Sequence, residues 1–172
     1  MVHILLVDDS RSFIYAGREL LLRHRPSFIV GTALDAESAL IAIRTHDYDV
    51  VVSDIMLPGL DGIALLDECH RVRPDTPVIL ISGYGDVELE QRAAKRGAYA
   101  FLHKPADPDV FFSVVNRAVL RSQMRRKPEQ VLGDDQLWYP QAIEQARQKT
   151  NEIAERLRKT LENAGPSSTG NP

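Results

Sequence analysis

Five short runs rich in valine, isoleucine and leucine recur through the first two thirds of the chain, each followed by a stretch of helical period. They fall at His3 to Val7, Phe28 to Ala33, Val50 to Ser53, Val78 to Ser82 and Ala100 to His103. Apolar residues at consecutive positions suit strands buried on both faces, as in a parallel sheet with helices on each side. The first helix is expected over about Ser12 to Arg25, with Ile14, Leu21 and Leu22 inward and Pro26 as its stop. The second follows Asp35, a good N-cap, with Glu37 favouring its first turn. The third runs from Gly62 to Arg73 before Pro74, and the fourth from about Val87 to Arg96 before Gly97. The fifth covers about Pro108 to Ser122, with proline at an early helical position. The expected fold is α/β, a doubly wound five-stranded parallel sheet with five helices, over residues 1–122.

After Ser122 the character changes. Arg125-Arg126-Lys127-Pro128 and Gly133-Asp134-Asp135 read as a polar linker, residues 123–139, with two helix breakers. Pro140 then opens a segment without Gly or Pro, rich in helix formers, which predicts one long C-terminal helix over residues 140–164. Ile143, Ala146, Thr150, Ile153, Leu157, Thr160 and Ala164 form a weak coiled-coil-like seam along it. That seam leaves three readings open: a homodimer, packing on the first domain, or docking of another protein. Leu137-Trp138-Tyr139 is read as a staple onto the first domain or onto this helix's own start rather than a partner anchor. Residues 165–172 are expected to be disordered.

Composition narrows the function. With 44% hydrophobic residues the chain is no disordered polymer, and a net charge of -3 gives no general attraction to nucleic acid or anionic lipid. From Gln123 onward eight basic residues face seven acidic ones, so a DNA-binding output is disfavoured there, and a helix-turn-helix would need at least two more short helices. Cys69 is the only cysteine, read as a small buried side chain; it excludes an intrachain disulfide and suits a reducing compartment. The first apolar run meets Asp8 and Asp9 too soon for a signal peptide, and no run is long enough to span a membrane. A cytoplasmic location is therefore expected. The five histidines are scattered singly and read as no metal ligands.

The chemistry gathers where the strands end. In an open parallel sheet the reactive edge lies at the carboxyl ends of the strands. Here the first strand ends in Asp8 and Asp9, the third in Asp54, the fourth in Ser82 and the fifth in Lys104 followed by Pro105. Clustered carboxylates at a buried edge are unfavourable unless a cation or proton compensates them. Three of them suit a hard divalent ion such as Mg2+, with lysine and serine placed to meet phosphoryl oxygens. Taken singly, Asp9 reads more often as a helix cap, Asp54 as a solvated loop acid, Ser82 as a turn residue and Phe101 as core. Their roles rest on the constellation.

Leu6-Val7-Asp8-Asp9-Ser10, Ser53 through Gly62, Ile81-Ser82-Gly83-Tyr84-Gly85 and Gly97 through Pro105 together resemble, in order and spacing, the receiver domain of two-component response regulators. The wording around Ser82 and Ala98 is most similar to receivers of the nitrogen-regulation class, which usually precede an AAA+ module not present in this chain. The resemblance implies sheet order 2-1-3-4-5 and a cis Lys104-Pro105 bond. It implies Asp54 as phosphoacceptor, and Asp8, Asp9, Asp54 and the Met56 backbone carbonyl as Mg2+ ligands. It further implies that Lys104 pairs with the phosphoryl group and that Ser82 and Phe101 form the switch. The implied partners are a sensor histidine kinase or phosphotransfer protein and a downstream protein target; that no direct nucleic-acid or membrane contact is expected comes from the charge balance and run lengths above. On this reading the protein is a signalling phosphoacceptor rather than an enzyme acting on other substrates. Met56 and bulky Tyr84 would slow loss of the phosphoryl group. Two other classes compete. A pseudo-receiver scaffold would bind partners without phosphorylation, and a haloacid-type phosphatase would need a second acid where Ser10 or Met56 stands.

Overall fold

The computed structural model describes residues 1–83 and 87–126. The elements in chain order are β1 (Val2–Val7), α1 (Arg11–His24), β2 (Phe28–Ala33), α2 (Ala36–Thr45) and β3 (Val50–Asp54). There follow α3 (Gly62–Val72), β4 (Val78–Ser82), α4 (Val87–Lys95), β5 (Ala100–His103) and α5 (Pro108–Arg126). The strands form one parallel sheet in the order β2-β1-β3-β4-β5, as expected. Tyr84, the linker beyond Arg126, the Leu137-Trp138-Tyr139 cluster, the helix expected over 140–164 and the tail 165–172 lie outside the described residues.

Successive side chains of a strand point to opposite faces, so each aliphatic run feeds two cores at once. Ile4 and Leu6, Val50 and Val52, and Ile79 and Ile81 pack with Ile14, Leu21, Phe111 and Val115 under α1 and α5. Leu5 and Val7, Val51, Val78 and Leu80 face the other way, against Ala39, Ile43, Leu66, Cys69 and Ala93 of α2, α3 and α4. Every residue of β3 and β4 is buried, which explains the consecutive apolar residues Val50 to Val52 and Val78 to Ile81.

Helix boundaries follow local chemistry. Ser10, not Asp9, caps α1: its Oγ accepts from the Phe13 N–H at 3.3 Å, which leaves the Asp9 carboxylate free for other work. Asp35 caps α2 through the Ser38 N–H at 2.7 Å, and Asp61 caps α3 through the Ala64 N–H at 2.7 Å. The fifth helix continues past Ser122, where its end was expected, to Arg126. Apolar spacing stops at Ser122, but Gln123, Met124 and Arg125 are good helix formers and the first breaker is Pro128. Of the nine residues of α4 only Ala93 is buried. Just beyond that helix, Arg96 donates to Asp67 of α3 at 2.5 Å.

Candidate functional site

The strand register assembles the site. Val7 pairs with Ser53, so the next residues, Asp8 and Asp54, emerge side by side from the two central strands. Asp54 is in turn level with Ile81, and Ser82 with His103, which brings the end of β4 and the Lys104 that follows β5 to the same rim. The Lys104 N–H donates to the Ser82 carbonyl at 2.7 Å, and the Lys104-Pro105 bond is cis.

Four charged groups meet there. Lys104 Nζ donates to Asp8 Oδ2 at 2.5 Å and to Asp54 Oδ2 at 2.6 Å. The Asp8 carboxylate is fully buried; its Oδ1 accepts from the Ser10 N–H at 2.8 Å. Asp54 is 7% exposed, and its Oδ1 accepts from the Met56 N–H at 3.1 Å. Asp9 is exposed, yet Asp8, Asp9 and Asp54 each offer an oxygen such that all three lie within 4.8 Å of one another. Burial pushes the Asp8 carboxyl above the usual carboxylate range, although the hydrogen bond from Lys104 and that from Ser10 oppose it. Burial works against the Lys104 ammonium too, but its hydrogen bonds to Asp54 and Asp8 prevail and hold it above the ordinary lysine value. Three carboxylates against one ammonium leave two negative charges in a cluster of hard oxygen donors, a set that fits a divalent cation such as Mg2+.

The remaining residues stand around this centre. Ser82 is fully buried at the end of β4. Phe101 is half-buried, packs against the core under α3 and α4, and lies 5.1 Å from the His103 ring between centroids. The Met56 side chain is 59% exposed beside the acids. Among the described residues no histidine joins a metal-ligand group, and Cys69 is buried on α3 with its thiol pushed up to about 12 by desolvation.

Two contributors escape the sequence reading. Gly62 donates to the Ile55 carbonyl at 2.8 Å, and a Cβ there would run into the Asp54 carbonyl oxygen and come within 2.8 Å of Ile55 Cα. Glycine therefore lets the start of α3 press onto the chain just after Asp54. The glycine directly after the Asp61 cap was the available signal, because a close backbone approach often demands that residue. The other is Phe13, whose ring centroid lies 4.6 Å from Lys104 Nζ. Nothing in the sequence marks a contact between residues so far apart along the chain.

Comparisons with known proteins agree with this geometry. Residues 4–116 match the family model of the response regulator receiver domain. The nitrogen assimilation regulatory protein NtrX of Azorhizobium caulinodans is 33% identical over 172 residues, which take in 98% of this chain and 36% of that relative. The C4-dicarboxylate transport transcriptional regulatory protein DctD of Pseudomonas aeruginosa is 42% identical over 117 residues, 67% of this chain and 25% of that protein. The chain thus spans about a third or less of the length of these curated relatives. Among solved structures, the receiver domain of NtrX from Brucella abortus superimposes with a TM-score of 0.63 at 41% identity, covering 67% of this chain and 97% of that one. No helix of the described residues is long and apolar enough to cross a membrane. Register, acidic cluster and sequence matches lead to one assignment: the chain belongs to the response regulator receiver domain family.

Proposed function

We propose that this receiver accepts a phosphoryl group on Asp54 from a sensor histidine kinase or phosphotransfer protein and signals onward through protein contacts. The observation that carries the reading is the Lys104 ammonium shared between Asp8 and Asp54, with Asp9 in reach of the same cluster. A carboxylate oxygen of Asp54 forms the new P–O bond in line with the breaking P–N bond of a phosphohistidine. The imidazole leaves with the bonding pair, and an acyl phosphate results. The Met56 N–H and Lys104 hold the Asp54 carboxylate in orientation for this attack. Asp8, Asp9, Asp54 and the Met56 carbonyl would hold Mg2+, which when bound offsets charge on the transferring group. Lys104 and the Ser82 hydroxyl then donate to phosphoryl oxygens, and Phe101 turns inward as Ser82 moves, altering the surface of α4, β5 and α5. The exposed Met56 thioether shields the acids from an attacking water, so loss of the phosphoryl group is slow.

Nucleic-acid contact is not part of the proposal for this chain, because the segment from Gln123 onward carries a net of only +1. Dimerisation through the last helix concerns residues outside those described.

Incubation with acetyl phosphate and Mg2+, read on a phosphate-affinity gel beside Asp54→Asn, tests the reading. A receiver holds one base-labile phosphate that the variant lacks. A scaffold stays unmodified, and a phosphatase turns substrate over without holding it. Absence of any modified species at Asp54 refutes the proposal. The lifetime of the modified form, compared with that of variants carrying small polar residues at 56 and 84, tests the slow release; equal lifetimes refute it.

A further inference from the structure

A lysine side chain has four rotatable carbons and a strongly hydrated head, so an ion pair alone does not fix where its charge rests. Lys104 is open to such drift: its side chain is 22% exposed and borders a groove of about 910 Å3 between α1 and the start of α5. On the groove side stands Phe13, with its ring centroid 4.6 Å from Nζ. Its own position is determined twice. The backbone of Phe13 donates to the Ser10 cap at 3.3 Å, and the edge of the Phe111 ring meets it at 82° with centroids 6.3 Å apart. An aromatic face attracts a cation without consuming an N–H, because the attraction comes from the ring quadrupole. The ammonium has three donors, of which Asp8 and Asp54 take two.

We infer that Phe13 is a positioning residue for Lys104: its ring face holds the ammonium over the Asp8–Asp54 pair while leaving one N–H for the incoming phosphoryl oxygen. The inference rests on the proposed phosphoryl acceptance at Asp54. It adds a role for an α1 aromatic that acts through Lys104.

The test uses the full chain with Phe13 replaced by Leu, by Tyr and by 3,4,5-trifluorophenylalanine. The last keeps the shape of the ring but drains its face of negative charge, which a merely structural role would not register. With acetyl phosphate as donor, so that no protein docking enters, the initial rate of Asp54 phosphorylation should fall about threefold to fivefold in Phe13→Leu and in the trifluoro variant, the scale of a partly exposed cation–π contact. Phe13→Tyr should keep the wild-type rate. Equal rates for the trifluoro variant and wild type would overturn the inference. In parallel, NMR of the unphosphorylated protein should place the Lys104 ε-methylene protons upfield of their position in Phe13→Leu, from the ring current. Equal shifts would also overturn it. If the wild-type chain takes up no phosphate while that ring-current shift is present, the contact stands as drawn and it is the phosphoryl reading that fails, taking the positioning role with it.

Discussion

Replacing Lys104 by Met removes one charge while keeping a flexible apolar stem beside Phe13, so the change isolates the ammonium. It leaves Asp8, fully buried, and Asp54, 7% exposed, side by side without a counter-charge. Breaking a buried ion pair by deleting one partner costs about 3–5 kcal/mol, and the lower end applies because a fifth of the lysine side chain still meets water. We therefore expect a loss of about 3 kcal/mol at pH 8 in EDTA, visible in urea unfolding followed by far-UV circular dichroism as a midpoint lower by about 1.5–2 M. The pH dependence gives the cause. In the wild type the Asp8 carboxyl already lies above its ordinary value of 3.8 through burial, so its ionisation costs stability as pH rises. The Lys104 ammonium, held above its own ordinary value, contributes fully at neutral pH and is lost only as pH climbs through the raised lysine value. Without it the Asp8 carboxyl, already raised by burial, is raised further, so the deficit should shrink as pH falls and Asp8 takes up a proton. A deficit that stays level between pH 8 and pH 5, or that never exceeds about 1 kcal/mol, would refute the claim that Lys104 compensates a desolvated acidic pair.

Three further outcomes are expected. Mg2+ at ten times its dissociation constant should stabilise the wild type by about 1.4 kcal/mol, a rise of about 5 °C in Tm, and this gain should vanish in Asp9→Asn; an unchanged gain would remove Asp9 from the ligand set. Gly62→Ala should cost about 2 kcal/mol in chemical unfolding, the scale of overpacking, since its methyl meets the backbone of Asp54 and Ile55; a neutral effect would show that the turn yields. Cys69, with its thiol pushed up to about 12 by burial, should react with a disulfide reagent at pH 8 about a thousandfold slower than in the urea-unfolded chain. For the same reason stability should fall as pH rises above about 8.5, where only the unfolded thiol ionises; a flat profile to pH 10 would contradict this burial.

The two-sided apolar runs made the strands legible: in the folded chain Phe28–Ala33, Val78–Ser82 and Ala100–His103 coincide with those runs, and β1 and β3 each extend one residue beyond theirs. Asp8, Asp9, Asp54 and Lys104 were legible as a group because a parallel register must bring strand ends to one rim. Less could be read where geometry rather than composition decides. The sequence offers only Asp9 as a cap, and the turn of the chain gives the task to Ser10 instead. The end of α5 was misjudged because apolar spacing ceases before helix propensity does. Phe13 and Gly62 act through a ring face and a missing Cβ, and neither leaves a periodic trace.

The thin anchorage of α4 carries a consequence of its own. A helix that fully buries a single alanine, with Leu89 only partly covered, and that is followed by an exposed Arg96–Asp67 pair to α3, has little to lose by coming away from the sheet. Its amides should surrender their protons to deuterium well before those of β3 and β4, through local opening that leaves the central strands intact. The rim beside the acids is thus bordered by the part of the domain that is cheapest to rearrange.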